Sequence, residues 1–270
     1  MILTVHHTTR YRYDAPVRWI LQSLRMTPSM SDGQDIINWD VSVPGATFGA
    51  SFTDGAGDKI TTVSTPGPTE EVTVTVTGKV ETEDTAGVLK GHRERISPLV
   101  YLTPSSMTKP DAALRALAAE VKGKSLAPLD HSHALSHLVA ERVRYLPGVT
   151  EATTTAAEAL QAGQGVCQDQ AQVLCAVARL NGLPARYISG YLQADEFGQA
   201  HDAAHAWAEI HIDGLGWVGF DVANHCCPDE KYIRVGSGLD ALDAAPIRGT
   251  AYGPSSHRVE VSVAVTAKDK

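Results

Sequence analysis

Three side chains of suitable type stand in a useful order along the chain. They are Cys167 within Gly165-Val166-Cys167-Gln168-Asp169, His205 opening His205-Ala206-Trp207, and Asp221 directly after Phe220. A thiol attacks a carbonyl carbon only as thiolate, and an ordinary pKa of about 8.5 leaves little thiolate at neutral pH. A neighbouring imidazole takes the proton, and a carboxylate behind the imidazole fixes its tautomer and stabilises its charged form. Cys167, His205 and Asp221 therefore read as nucleophile, base and orienting group. Each alone has a plainer explanation: an inert cysteine at a helix start, a structural histidine on a strand, an aspartate closing a turn. The three together, on these elements and in this order, point to catalysis.

The local pattern says how they are positioned. Thr155-Ala156-Ala157-Glu158 is a capping-box start and Gly163 a stop, which gives a short helix ending just before the thiol. Ala171, Leu174, Cys175 and Ala178 carry a further helix to Asn181-Gly182, so Cys167 falls in its first turn. There the free amides and the helix dipole place partial positive charge beside the sulfur. The segments 184–191, 205–212 and 217–222 read as strands, and Asp213-Gly214 joins the last two as a hairpin. His205, Trp207, Glu209 and His211 share one face of their strand, while Trp217, Gly219 and Asp221 share one face of its partner. A register with Asp221 beside His205 is allowed.

Gly165 is expected to let backbone approach a substrate, and the Cys167 amide is a natural oxyanion donor. Gln161 or Gln164 is a candidate second donor, and the pattern does not choose between them. Gln168 and Trp207, neighbours of the thiol and the imidazole, are further cleft candidates. The polar stretch 195–202, just before His205, is expected to gate access.

Upstream, Pro110 suits the first turn of a helix striped by Ala113, Leu114, Leu117, Ala118 and Val121. Asp130 is the expected N-cap of a second helix, with Leu135, Leu138, Val139 and Val143 on one face. Residues 1–95 instead alternate with period two, as in Val72, Val74, Val76 and Val80 or in Ile37, Trp39, Val41 and Val43. Asp14-Ala15-Pro16 breaks an earlier run, and Pro44-Gly45 and Pro66-Gly67-Pro68 mark turns. The fold class is α+β: an antiparallel, sandwich-like β-domain over 1–95, then a domain of helices packed on an antiparallel sheet over 96–270. The alternating tail, 257–267, is expected to return to the first sheet.

Composition narrows the partners. With 31 acidic against 23 basic side chains, the net charge of −8 repels phosphate backbones, so nucleic acid is excluded. No apolar run reaches the length of a membrane span, and Met1-Ile2-Leu3-Thr4-Val5 leads straight into strand-like sequence; a cytoplasmic protein without membrane contact is expected. Four cysteines do not make a disulfide framework. Cys175 sits in an apolar helix as a filler. His225-Cys226-Cys227 and the trio His131, His133 and His137 lack the further partners that a metal site needs, so no metal and no cofactor are expected.

Four segments carry a resemblance. Gly-Val-Cys-Gln-Asp (165–169), Pro-Ala-Arg-Tyr-Ile-Ser-Gly-Tyr (184–191), His-Ala-Trp-Ala-Glu-Ile (205–210) and Gly-Trp-Val-Gly-Phe-Asp-Val-Ala-Asn (216–224) resemble the bacterial transglutaminase-like family. Thr9-Arg10-Tyr11-Arg12-Tyr13-Asp14 and Leu24-Arg25-Met26-Thr27-Pro28 resemble that family's N-terminal region. The resemblance implies a papain-like catalytic core and gives the roles of nucleophile, base and orienter to Cys167, His205 and Asp221. The chain departs from the family at Gln170 and Gln172, where Phe and His are usual, and at Val222-Ala223-Asn224, where Pro-Thr-Asn is common. It lacks the acidic calcium loop of animal transglutaminases, so calcium is not expected.

The expected activity is that of a cysteine acyl enzyme on amide bonds of a peptide or protein, with hydrolysis favoured. Transfer of the acyl group to an amine acceptor is the alternative, and a non-catalytic binding scaffold is the rival class. The β-domain shows no chemistry of its own; shaping the cleft or docking a protein partner is its expected work.

Overall fold

The structure is a computed structural model that describes residues 1–123, 125–193, 204–253 and 256–268. Its elements in chain order begin with four strands, β1 (Ile2–Leu24), β2 (Gln34–Ser42), β3 (Thr47–Thr53) and β4 (Lys59–Thr82). Helices α1 (Ala112–Ala119) and α2 (Pro128–Arg142), the short β5 (Arg144–Tyr145), α3 (Ala156–Ala162), β6 (Gln164–Gly165) and α4 (Cys167–Leu180) follow. The chain then forms β7 (Ala185–Leu192), β8 (Ala204–Ile212), β9 (Gly216–Phe220), β10 (Tyr232–Gly238), β11 (Ile247–Tyr252) and β12 (His257–Lys268). The α+β class and the strand-rich N-terminal region hold.

The first sheet is one continuous six-stranded surface in the order β11-β1-β4-β2, with β12 also on β1 and β3 also on β4. β1 and β4 are long enough to serve two leaves: β12 pairs the first half of β1 and β11 the second. Asp14-Ala15-Pro16 does not end β1; its pairing with β4 shifts register between Arg12 and Val17 instead, so the break becomes an irregularity inside one strand. Val17, Ile20 and Val63 from one leaf share an apolar cluster with Val72, Val74 and Val76 from the other. The tail thus lies in the first sheet, antiparallel to β1.

The second sheet has the order β10-β7-β8-β9, antiparallel throughout. α4 lies across it, and its cluster gathers Cys167, Ala171, Leu174 and Cys175 with Tyr187, Ala206, Ala208 and Ile210 from the strands. α1, α2 and α3 add Leu114, Leu135, Val139 and Ala159 to the same cluster. A helix covered this completely tolerates small residues, which is why alanine is frequent in α4. The capping box at Thr155 and Glu158 forms, and Gly163 ends α3 at φ 65°. Two helix starts differ from the sequence expectation. Pro110 lies before the first turn of α1 rather than in it, and Asp111 is the N-cap, its Oδ1 accepting from the Leu114 amide at 2.8 Å. α2 opens at Pro128 with Ala127 as N-cap, which leaves Asp130 inside the first turn. Proline at the first helical position loses no hydrogen bond, so the helix extends back to it.

The connection between β4 and α1 covers a sheet edge. Leu89 donates its amide to the Trp217 carbonyl at 2.9 Å and Gly219 donates to the Gly87 carbonyl at 2.9 Å, so residues near 87–89 protect the outer side of β9. Among the described residues, no helix is long and apolar enough to cross a membrane.

Candidate active site

Cys167 is the first residue of α4 and is 7% exposed. The turn before it is held by Asp169. Its Oδ2 accepts from the Val166 amide at 2.8 Å and from Thr150 Oγ1 at 2.6 Å, one half of a capping box combined with a tie to the preceding connection. Gln168 Nε2 donates to the Ala152 carbonyl at 3.3 Å and Gln172 Nε2 to that of Thr154 at 3.0 Å, adding two ties to the same connection. Gly165 has a structural reason within the turn itself. A Cβ there would lie 2.6 Å from Asp169 Oδ2, so its absence makes room for the carboxylate that shapes the nucleophile turn.

His205, the second residue of β8, is 7% exposed, and its ring lies between Cys167 and Asp221. Nε2 meets Asp221 Oδ2 at 2.6 Å. The Cys167 side chain is close enough to the ring to favour its charged form, and with Nε2 taken by Asp221, Nδ1 is the nitrogen left for the thiol. The hairpin places Ala208 opposite Phe220, so Asp221 follows directly after the last paired residue of β9. A bridge to Cys226 then holds its backbone, with the Asp221 amide 2.8 Å from the Cys226 carbonyl.

Asp221 is fully buried and well supplied with donors. Besides His205, its Oδ2 accepts from Asn224 Nδ2 at 2.7 Å and from the Tyr232 hydroxyl at 2.8 Å, while Oδ1 accepts from the Asn224 amide at 3.2 Å. Burial works against its charge, but these donors and the imidazole prevail and hold the carboxyl below its ordinary range. Burial likewise opposes charge on His205. The interactions with Asp221 and Cys167 outweigh it, and the imidazole is pushed up to about 10. At neutral pH the ring is therefore an imidazolium held between a carboxylate and a sulfur.

Behind the imidazole, Trp207 stacks at 6.4 Å between ring centroids and is only 3% exposed. This side chain is a platform for His205, and it also lines a cleft with Gly219, Pro228 and Tyr232. Its indole lies over Gly190, where a Cβ would come within 2.5 Å of the ring. Gln161 is exposed at the end of α3, Gln164 is half-buried in β6, and no described hydrogen bond joins either to the three central side chains. The expected gate, 195–202, lies outside the described residues. His133 packs edge-on against Phe220 at 5.0 Å, and Cys175 is fully buried, its thiol raised to about 11 by burial first. Tyr232 is the neighbour that sequence reasoning missed, since no pattern linked it to Asp221; Asn224 ended the 216–224 motif, but its role toward Asp221 was not assigned.

On the other side of the sheet from α4, a buried ionic lattice joins the two sheets. Glu209 accepts from Arg186 Nε at 2.7 Å and Arg234 Nε at 2.9 Å; Arg234 also reaches Asp58 Oδ1 at 3.1 Å. Arg186 reaches Glu94 at 2.6 Å and lies 4.0 Å from the centre of the Trp217 ring. Burial opposes the charge of Glu209, but the two arginines hold its carboxyl down to about 2.

Similar proteins agree with this architecture. A structure from Cytophaga hutchinsonii, described as a candidate cysteine protease, superposes with a TM-score of 0.77 at 23% identity, covering 100% of this chain and 92% of that one. That is a likeness of fold. A Mycobacterium leprae protein is 29% identical across 98% of each chain. A Mycobacterium tuberculosis protein is 40% identical over 131 residues, which are 45% of this chain and 42% of its own length. Residues 3–81 match the bacterial transglutaminase-like N-terminal region, and residues 115–222, which contain Cys167, His205 and Asp221, match the transglutaminase-like superfamily. The chain is a transglutaminase-like protein with the N-terminal region of the bacterial branch.

Proposed function

We propose that this protein is a cysteine-dependent acyl enzyme that cleaves amide bonds in a peptide or protein. The observation that carries the reading is the 2.6 Å Asp221–His205 pair, with the Cys167 thiol, in the first turn of a buried helix, acting on the same imidazole. The Cys167 sulfur, as thiolate beside the imidazolium, attacks the amide carbonyl. The tetrahedral oxyanion forms next to the first-turn amides of α4, where the helix dipole favours negative charge. His205 gives its proton to the leaving amine, and a thioester remains on Cys167. His205, now neutral, takes a proton from water as the water attacks the thioester, and the acid departs with the thiolate restored. Asp221 keeps the imidazole oriented and its charge stabilised throughout.

The test is a quenched single turnover on a fluorogenic peptide library, with the acyl adduct located by peptide mass. A thioester on Cys167 that decays to acid supports hydrolysis. Adding a primary amine reads the alternative: amide product rising at the expense of acid, as amine concentration rises, makes the enzyme a transferase. No adduct on Cys167 with any substrate, while Cys167 alkylates no faster than Cys226, rejects the enzyme reading in favour of a binding scaffold.

A further inference from the structure

Tyr232 opens β10, at one edge of the second sheet, while Asp221 follows β9 at the other edge. The phenol nevertheless reaches Asp221, its hydroxyl donating to Oδ2 at 2.8 Å, and its ring packs edge-on against Trp207 at 5.6 Å and beside His205 at 6.0 Å. Tyr232 lies outside the 115–222 superfamily match. Nothing in the hairpin that carries His205 and Asp221 places it there.

What places it is the first sheet. β10 has β7 on one side only. At Arg234 the Gln34 side chain supplies a substitute for the missing strand: its Oε1 accepts from the Arg234 amide at 2.9 Å, and its Nε2 donates to the Arg234 carbonyl at 2.8 Å. The Ser29 amide donates to the same carbonyl at 2.9 Å. Between these two positions, Ile233 is fully buried with Leu3, Val5 and Val80 of β1 and β4. The Arg234 guanidinium continues into Asp58 and Ser29.

Resting on the reading of Cys167, His205 and Asp221 above, we propose that Tyr232 is a positioning residue for Asp221 and that the N-terminal sheet, through Gln34 and β10, is a working part of the active site. A carboxylate beyond a strand end has rotational freedom. The phenol and Asn224 fix Oδ2 where His205 Nε2 meets it, and a fixed acceptor holds the imidazole toward the thiol. Tyr232 touches no reacting atom.

Tyr232→Phe keeps the ring packing and removes only the hydroxyl; Gln34→Ala loosens β10 from the other end. Two readouts separate this inference from the reading it rests on. The first is proton NMR of the His205 Nε2–H, measured as its exchange rate with water, which reports the His205–Asp221 contact without reference to the thiol. The second is iodoacetamide alkylation of Cys167 at about pH 6, with Cys227 as internal control because Cys226 Sγ itself lies 3.3 Å from the Tyr232 hydroxyl. In Tyr232→Phe, exchange is expected to accelerate and Cys167 alkylation to slow, each about tenfold, as for loss of a hydrogen bond to a charged group. Gln34→Ala is expected to shift both in the same direction by less, with the circular dichroism spectrum unchanged. Unchanged exchange in Tyr232→Phe overturns the proposal, as does a change in Tyr232→Phe with none in a folded Gln34→Ala. If wild-type Cys167 shows no enhanced alkylation while the exchange effect is present, the nucleophile assignment fails and the positioning of Asp221 stands.

Discussion

Asp169 occupies the space that a side chain at Gly165 would need, with its Oδ2 2.6 Å from the position of that missing Cβ. The same oxygen holds the Val166 amide and the Thr150 hydroxyl. Gly165→Ala is expected to push the carboxylate off both donors, at a cost of about 1–3 kcal/mol of the kind seen for overpacking. Chemical denaturation gives the number. Peptide-resolved alkylation should show Cys167 losing its advantage over Cys226 in the same variant.

Asp221→Asn preserves shape but removes the charge opposite His205 Nε2 and offers the ring a choice of donor or acceptor. Amide-cleaving kcat/KM is expected to fall by roughly 10²- to 10⁴-fold, mostly in kcat. A loss below about threefold would remove Asp221 from the mechanism.

The elevated His205 pKa has a defined sign. Because the folded value of about 10 lies above the ordinary 6.5, the proton favours the folded state. That contribution is fully present below 6.5 and disappears as pH rises through about 10. The imidazole carbon-bound proton resonance should titrate near 10 in the wild type and move toward neutral pH in Asp221→Asn. A wild-type midpoint near 6.5 would contradict the ion-paired arrangement.

His7 behaves in the opposite way. It is buried where β1 meets β7, with Nδ1 2.9 Å from the Tyr191 hydroxyl and Nε2 2.9 Å from Thr9 Oγ1. Burial, then the nearby His6, lowers its pKa from 6.5 to about 4. The unfolded chain binds this proton more readily, so stability is lost as pH falls from 6.5 through about 4, by about 3 kcal/mol in total. Denaturation midpoints of His7→Gln across that range should show a shallower acid slope than wild type.

Glu209 balances two buried arginines at once. Glu209→Gln leaves Arg186 and Arg234 with Glu94 and Asp58 as their remaining carboxylates, and is expected to cost ~3–5 kcal/mol. The thermal midpoint should drop by roughly 10 °C, with the ordering of the two sheets loosened together.

Much of this was legible in the chain because it is local. The Thr155/Glu158 box, the first-turn place of Cys167 and the hairpin at Asp213-Gly214 are each signalled within a few residues. Strand alternation gives the face that Trp207 lies on but not what packs against it; here its apolar neighbours are Ile188, Tyr232 and Leu192. At Gly165 the carboxylate four residues onward, which fills the space of a side chain there, cannot be seen from spacing alone. Gln34 and Arg234 meet across 200 positions, and no periodicity reports such a pair. The break at Asp14-Ala15-Pro16 became a register shift because β4 bends with β1 and keeps pairing beyond it.

The placement of β12 and β11 on β1 bears on synthesis. β1 is made before the other described elements, yet one whole side of it waits for residues 247–268. The N-terminal sheet is therefore completed last, after the helices around α4 have had time to pack. A fragment ending near residue 95 would display the open side of β1 as a long unpaired edge, a template for association with other chains. The strand-rich N-terminal region is thus completed by strands from the far end of the sequence, β11 and β12.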